Sequence, residues 1–260
     1  MPKVVVIGGG AGGILAAGRA AECGAKVILL ERNSVLGRKL RITGKGRGNV
    51  TNTAGLDEFI AAFGPNGKFL YGAFSRFSNQ DLIGLLERLG VPTKIERGGR
   101  VFPASDRAAD VAAAFEAWLR GLGVEVRTGV RAQGLGWENG TLERRTLNGN
   151  PQSAIRNPKL RITGVRVFSG TIPADAVVLA TGGITYPRTG STGDGYRMAA
   201  EVEQQADYAL SLHARNLVRR RIGRNVAQPH ENRYQGSGKK LRQVVFEVYR
   251  LGEIPYQPLV

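Results

Sequence analysis

Three glycines close to the start of the chain have a spacing that can bind the phosphates of a nucleotide. Gly8, Gly10 and Gly13 fit the pattern Gly-x-Gly-x-x-Gly, and Gly12 adds a further residue without a side chain. In this pattern the first glycine makes a tight turn, the second lets the backbone approach a pyrophosphate, and the third lets a helix pack on a strand. The spacing predicts a dinucleotide site; the weaker alternative is a glycine-rich turn that only packs a helix.

An acidic residue stands where such a site needs one. Glu31 lies 18 positions after Gly13, where a carboxylate can accept hydrogen bonds from both hydroxyls of an adenosine ribose. The same carboxylate would repel a 2′-phosphate, so the sequence disfavours NADP at this site.

The elements that must position these residues follow from the hydrophobic pattern. The apolar runs Lys3–Ile7 and Lys26–Glu31 predict two buried parallel strands, and residues 12–23 predict a helix that ends before Gly24. Strand, glycine turn, helix, strand and acid therefore occur in the order of a dinucleotide-binding unit. Cys23, at the end of the helix, is predicted to be a small buried core residue rather than a nucleophile.

A basic, glycine-rich segment follows the second strand. Residues 33–52 read NSVLGRKLRITGKGRGNVTN, with five Lys or Arg, four Gly and no acid. Arg38, Lys39, Lys45 and Arg47 could neutralise the charge of a phosphate-rich ligand while the glycines give access to the backbone. The alternative is a solvated surface loop.

A further buried strand, late in the chain, also ends in a glycine turn. Residues 176–183 read AVVLATGG, so Thr181, Gly182 and Gly183 follow the apolar run. Between residues 131 and 175, Asn139-Gly140 and Asn148-Gly149 are hairpin-turn signals, which predict a β-meander before this strand. Residues 106–120 predict an amphipathic helix with Ser105 or Asp106 as its N-cap.

Five stretches resemble a family of NAD(P)/FAD-dependent oxidoreductases, the aminoacetone-oxidase-like and bile-acid-reductase-like flavoproteins. The stretches are VVVIGGGAGGILAA, VILLERN, LGRKLRITGKGRGNVTN, GGRVFPASDRAADV and VVLATGGITYPRTGSTGDGYRMA. The resemblance implies an α/β fold: a Rossmann-like FAD-binding domain of the glutathione-reductase type, with a parallel sheet and a β-meander crossover. It also implies FAD as cofactor, with the flavin near residues 37–52, and NADH or NADPH as electron donor.

The resemblance and the motifs together assign the cofactor-binding residues. The backbone of Val130 is placed where family members contact adenine, and no catalytic residue or metal site is assigned. The predicted set is Gly8, Gly10, Gly12, Gly13, Glu31, Arg32, Arg38, Lys39, Arg47, Asn49, Val130, Thr181, Gly182 and Gly183.

The sequence departs from the family pattern in two places. The family motif usually reads GRCNVTN, whereas Gly48 stands here in place of the cysteine. Nothing after about residue 205 resembles the family, whose members are considerably longer. We therefore expect an FAD domain over residues 1–204, with its meander at about 131–175, that is incomplete at its C-terminal end. Residues 205–260 are expected to be a basic tail of low order, and the chain a truncated oxidoreductase of low activity.

The charge of the chain supports a second interpretation. The net charge is +16, and such a balance suits nucleic acid, anionic lipid or a phosphate-rich cofactor. The alternative function is a non-catalytic nucleotide-binding or RNA-associated protein that binds polyanions through residues 215–242. We favour a solvated basic surface over polyanion binding. Separately, we expect self-association through an exposed sheet edge.

Composition excludes several classes of chemistry. The chain has one cysteine, which excludes an internal disulfide, a dithiol redox pair and a cysteine metal cluster. His213 and His230, the two histidines, lie far from the motifs, which disfavours a histidine-based nucleophilic site. No apolar run approaches the length of a membrane helix, so we expect no membrane partner and a cytoplasmic location.

Overall fold

The fold is built around a four-stranded parallel sheet. A computed structural model describes residues 1–145, 155–184, 187–190 and 192–202, all within one compact unit. The strands are β1 Lys3–Ile7, β2 Lys26–Leu30, β3 Thr51–Asn52, β4 Thr93–Glu96, β5 Arg100–Pro103, β6 Glu125–Arg127, β7 Gly134–Arg145, β8 Ile155–Val167, β9 Gly170–Pro173 and β10 Ala176–Leu179. The helices are α1 Ala11–Glu22, α2 Leu56–Ala61, α3 Tyr71–Phe74, α4 Asn79–Arg88 and α5 Ala108–Gly121, and residues 194–202 are also helical.

The parallel sheet has the order β10-β1-β2-β6. Val5 of β1 pairs with Ile28 of β2 on one side and with Val177 of β10 on the other. Successive side chains of β1 and β2 enter two separate apolar cores, one on each face. Strands that are buried on both faces need apolar residues throughout, which explains the unbroken runs in the sequence. The predicted α/β Rossmann-like fold is confirmed.

The two faces of the sheet are covered differently. On one face α1 packs against α5, where buried Gly18 lies against the Trp118 ring and Phe115 is buried. On the other face lies an antiparallel sheet of order β7-β8-β9. This is the predicted β-meander. One part of that prediction is wrong: Asn139 and Gly140 lie within β7, at an irregularity in the pairing with β8, and do not form a hairpin turn. Residues 148 and 149 lie outside the described residues.

A smaller antiparallel sheet, of order β3-β5-β4, follows the basic loop in sequence. Helix α4, which contacts β3 and β4, begins with a reciprocal cap between Ser78 and Asp81. The backbone and hydroxyl of Ser78 donate to the Asp81 carboxylate and lower its pKa. The cap satisfies N–H groups that the first turn of any helix leaves without partners.

Two further expectations are wrong. Cys23 is exposed, because it is the C-cap residue of α1 and lies outside the buried stripe of that helix. Helix α5 has Arg107 at its N-cap position, with no side-chain cap. Asp106 instead has a left-handed backbone, with φ of 55°, and its carboxylate binds Arg47 and Lys94.

Within the residues that the structure describes, no helix is long and apolar enough to cross a membrane. The basic segment expected from residue 205 onward lies outside those residues. The domain boundary at residue 204 therefore stays a prediction.

Candidate cofactor site at the carboxyl end of the sheet

Most of the predicted site residues come together at one edge of the parallel sheet. Gly8 follows β1 and Glu31 follows β2. Thr181 lies two residues beyond β10, and Val130 lies three residues beyond β6. Strand β1 lies between β2 and β10. The chain passes from β1 to β2 on one side of β1 and later places β10 on its other side. Crevices at such a switch point, outside the carboxyl ends of the strands, are where open α/β sheets bind ligands.

The glycines of the turn divide into two kinds. Gly8 has φ of 108°, and a Cβ there would collide with the carbonyl of Ala180. A Cβ at Gly13 would collide with the carbonyl of Gly8. By contrast, a Cβ at Gly10 or Gly12 would meet no atom within 4 Å. Gly8 and Gly13 are thus required by the packing of the protein itself, whereas Gly10 and Gly12 keep space open beside the turn.

The open side of this turn is the start of helix α1. Gly10 is the N-cap residue, and the first turn contains no acidic residue. The Ile14 N–H donates to the Gly10 carbonyl at 2.9 Å, which leaves the N–H groups of residues 11–13 ahead of the first helical hydrogen bond. Such N–H groups and the positive end of the helix dipole favour an anion.

Glu31 is a buried carboxylate held by the turn. Glu31 is only 7% exposed to solvent. One carboxylate oxygen accepts from the Gly9 N–H at 2.7 Å, and the other accepts from the backbone and side-chain N–H groups of Asn33. Because each carboxylate oxygen has two lone pairs, Glu31 can fix the turn and still accept from a ligand hydroxyl. Asn33 was not predicted as a site residue, although it follows Glu31 and Arg32 in the ERN motif.

The basic loop begins against the glycine turn. The Gly37 N–H donates to the Gly9 carbonyl at 2.8 Å. Arg38 donates to the side-chain oxygen of Asn33 at 3.1 Å, and Lys39 follows at an exposed position. These contacts place the start of the loop beside the turn, and Arg38 beside the partner of Glu31.

An unpredicted carboxylate joins two segments of the site. Asp194 accepts from Arg131 at 3.1 Å and lies 3.5 Å from Arg32, which also donates to Thr192. Burial alone would raise the pKa of Asp194, but hydrogen bonds from Arg131 and Thr192 and the charges of both arginines lower it overall. The signal in the sequence was its place in the TGDG turn between a glycine-rich loop and a helix.

Four predicted residues follow β6 or β10. The Val130 N–H donates to the Glu31 carbonyl at 3.0 Å, so its carbonyl is the group that could face an adenine. Thr181 lies against Gly195, where a Cβ would collide with its hydroxyl. Gly182 has φ of 76° and leads into Gly183.

Arg47 and Asn49 belong to a different set of contacts. The Arg47 guanidinium binds the carboxylates of Glu96 and Asp106. Asn49 is exposed, and its carbonyl accepts from the Thr43 hydroxyl at 3.3 Å. Gly48 has φ of 86° and packs against Pro103 and Ala108, so a cysteine side chain would be strained and crowded here.

A parallel sheet with its switch point at β1, an open glycine turn at a helix start and a buried acid after β2 define the class of dinucleotide-binding Rossmann domains. The family described as the HI0933-like protein Rossmann domain matches residues 2–207. The chain belongs to this family, whose members are FAD-dependent oxidoreductases.

Two curated relatives and one solved structure extend the comparison. The chain is 34% identical over 203 residues to a 3-dehydro-bile acid delta(4,6)-reductase of Clostridium scindens, covering 76% of this chain and 43% of the relative. It is 26% identical over 203 residues to a ribosomal RNA dihydrouridine synthase of Escherichia coli, with the same coverage of each. It resembles the open conformation of a flavocytochrome c3 fumarate reductase at 22% identity, covering 77% of this chain and 40% of that one, with a TM-score of 0.55. The chain spans less than half the length of these relatives.

Proposed function

We propose that this chain binds FAD as part of an oxidoreductase that takes hydride from NADH or NADPH. The observation that carries the proposal is the pairing of open space at Gly10 and Gly12 with the buried Glu31 carboxylate beside it. A pyrophosphate needs the first feature and an adenosine ribose needs the second. Family membership supports FAD as the dinucleotide.

Different residues of this chain would bind different parts of the cofactor. The N–H groups at the start of α1 would bind the pyrophosphate, with Arg38 and Lys39 supplying positive charge. Glu31 would accept from a ribose hydroxyl through the oxygen that also accepts from Gly9, and the Val130 carbonyl would contact adenine. The remaining predicted residues would border the same edge: Gly8, Gly13, Arg32, Thr181, Gly182 and Gly183. When bound, FAD supplies the acceptance and transfer of hydride, and the protein supplies binding, orientation and electrostatics.

For the substrate we propose a ring that carries a carbonyl conjugated to a carbon–carbon double bond. One relative is named a delta(4,6)-reductase of a 3-dehydro-bile acid, and another a dihydrouridine synthase. Both names describe the reduction of a double bond in a ring, which adds one hydride and one proton. This common chemistry supports the substrate class without choosing between a small molecule and RNA.

The net charge of +16 favours a second candidate, a protein that binds RNA or another polyanion. Polyanion binding falls steeply with added salt because it releases counterions.

The single cysteine supports a reducing compartment, and we propose the cytoplasm for either candidate.

The visible absorption spectrum of the purified chain tests the main proposal. We expect a flavin spectrum that persists through gel filtration and is restored by FAD after its removal, and bleaching by NADH or NADPH without oxygen would identify the donor. Reoxidation by a dienone steroid or by a uridine-containing RNA would then identify the substrate. A colourless chain that binds no added FAD, but binds RNA with a steep salt dependence, would refute the main proposal and support the second.

A further inference from the structure

Arg47 lies at the centre of a cluster of charged side chains. Its guanidinium donates to Asp106 at 2.6 and 3.0 Å and to both oxygens of Glu96, one of them at 3.3 Å. Lys94 donates to the other oxygen of Asp106 at 2.6 Å. Two cations therefore face two carboxylates, and a third cation, Arg100, lies 3.8 Å from the Glu96 oxygen that accepts from Arg47 at 3.3 Å. Hydrogen bonds from Arg47 lower the pKa of Glu96, and those from Lys94 and Arg47 lower the pKa of Asp106.

The cluster joins three separate segments. Arg47 belongs to the glycine-rich loop before β3, Glu96 ends β4, and Asp106 lies in the turn between β5 and α5. The Arg47 guanidinium also lies over the Phe102 ring, 4.5 Å from its centroid. Phe102 is 2% exposed, so the guanidinium covers a buried part of β5. An arginine can do this because its planar group combines ring stacking with paired hydrogen bonds.

The loop that carries Arg47 needs such an anchor. Gly44, Lys45, Gly46 and Gly48 all have left-handed backbones, with φ between 58° and 87°. Lysine pays a steric cost in this region that glycine does not. Hydrogen bonds from residues 47 and 48 back to residues 44 and 43 are 3.2 and 3.0 Å long. These few local bonds make a side-chain anchor important for the shape of the loop.

We infer that Arg47 is a positioning residue, which fixes residues 43–49, and with them the predicted cofactor residue Asn49, against β4 and β5. This inference rests on the proposed function for its link to the cofactor. The guanidinium donors of Arg47 are directed at Glu96 and Asp106 rather than at the glycine turn, so Arg47 does not serve the cofactor phosphates. The sequence analysis assigns Arg47 to the phosphate and flavin side of the site.

The substitution Glu96→Gln separates the two roles by the sign of its effect. If the Arg47 charge served the phosphates, removal of the competing carboxylate would strengthen FAD affinity. If Arg47 positions the loop, Glu96→Gln and Arg47→Met should each weaken FAD affinity, by about tenfold, and the double variant should lose little more because the residues act as one network. Arg47→Lys should resemble Arg47→Met, since a lysine keeps the charge but not the paired geometry.

Glu116→Gln is the matched control. It removes the carboxylate that pairs with Arg41 at 2.7 Å, a similarly exposed pair in the preceding turn. We expect unchanged FAD affinity in this variant. Tighter FAD binding in Glu96→Gln, or rescue of affinity by Arg47→Lys, would overturn the positioning role.

Hydrogen exchange of the FAD-free chain gives a readout that does not depend on the cofactor. The amides of Arg47, Gly48 and Val50 donate hydrogen bonds within or beside the loop, and we expect them to exchange faster in Arg47→Lys than in the wild type or in Glu116→Gln. Unchanged exchange in Arg47→Lys would refute the anchor. A wild-type chain that binds no FAD would instead refute the proposed function, while the exchange rates still decide the role of Arg47 in the loop.

Discussion

The substitution Gly10→Val should remove cofactor binding while leaving the fold intact. Gly10 has φ of −78° and ψ of −178°, an extended conformation that valine adopts readily, and a Cβ there would meet no atom within 4 Å. Loss of glycine at the N-cap costs about 0.5–1 kcal/mol. In a domain of this size each kcal/mol lowers the melting temperature by about 2–4 °C. We therefore expect a small change in thermal stability.

The expected loss of affinity is much larger. A branched side chain in this space would separate a pyrophosphate from the N–H groups that follow Gly10. Loss of two charge-assisted hydrogen bonds, at about 1.5–3 kcal/mol each, amounts to about 3–6 kcal/mol. At about 1.4 kcal/mol per tenfold change, FAD affinity should fall by about two to four orders of magnitude.

The assay pairs thermal unfolding of the FAD-free chain with calorimetric titration of FAD. Gly13→Ala is the contrasting variant, because its Cβ would collide with the Gly8 carbonyl. It should cost about 1–3 kcal/mol of unfolding free energy even without cofactor. Gly121→Ala, where a Cβ meets open space at the end of α5, should leave FAD affinity unchanged and should not lower thermal stability, since alanine is the better helix former. Wild-type FAD affinity in Gly10→Val would refute the assignment of this turn to the pyrophosphate.

Three further predictions concern neighbouring contacts. Glu31→Ala should weaken FAD affinity by about 1–3 kcal/mol in titration and should also lower the melting temperature, since the Gly9 N–H loses its acceptor; unchanged affinity would contradict the ribose role. Gly18→Ala should displace the Trp118 ring, which a Cβ would overlap, and cost about 1–3 kcal/mol, with a shift in tryptophan fluorescence; an unshifted spectrum would contradict this packing. The lowered pKa of Asp194 means that its ionised form adds stability above its unfolded pKa of about 3.9, and this stability is lost as the pH falls below that value. The melting temperature should therefore fall less steeply between pH 6 and about pH 3 in Asp194→Asn than in the wild type. Equal slopes in the two proteins would contradict the ion pairs.

The first unit of the fold could be predicted from the sequence because its signals are local. The strand β1, the glycine turn, α1 and β2 lie within the first thirty-one residues, and each is specified by a run of apolar residues or by glycines at fixed spacing. The site residues Gly8, Glu31 and Thr181 could be predicted for the same reason, since each directly follows or nearly follows an apolar strand.

The remaining features depend on contacts between distant segments. Asp106 suits an N-cap by residue type, but Arg47 and Lys94 compete for its carboxylate and hold it in a left-handed turn. Asn139-Gly140 is a hairpin signal that is overridden because β7 continues its pairing with β8 past this point. The bridge from Arg131 to Asp194 spans 63 residues, and no local pattern indicates it.

The pairing of β1 with β10 also constrains how the chain can fold during synthesis. The partners Lys3 and Asp175 at the start of these strands are 172 residues apart. Ribosomes add about 5–20 residues per second, so one edge of β1 stays without its partner for about 10–35 s after the strand has been made. During that interval β2 can pair locally, but the other row of backbone groups on β1 remains a template for foreign strands. Expression temperature and chaperone supply should therefore affect the yield of this protein more strongly than its equilibrium stability would indicate.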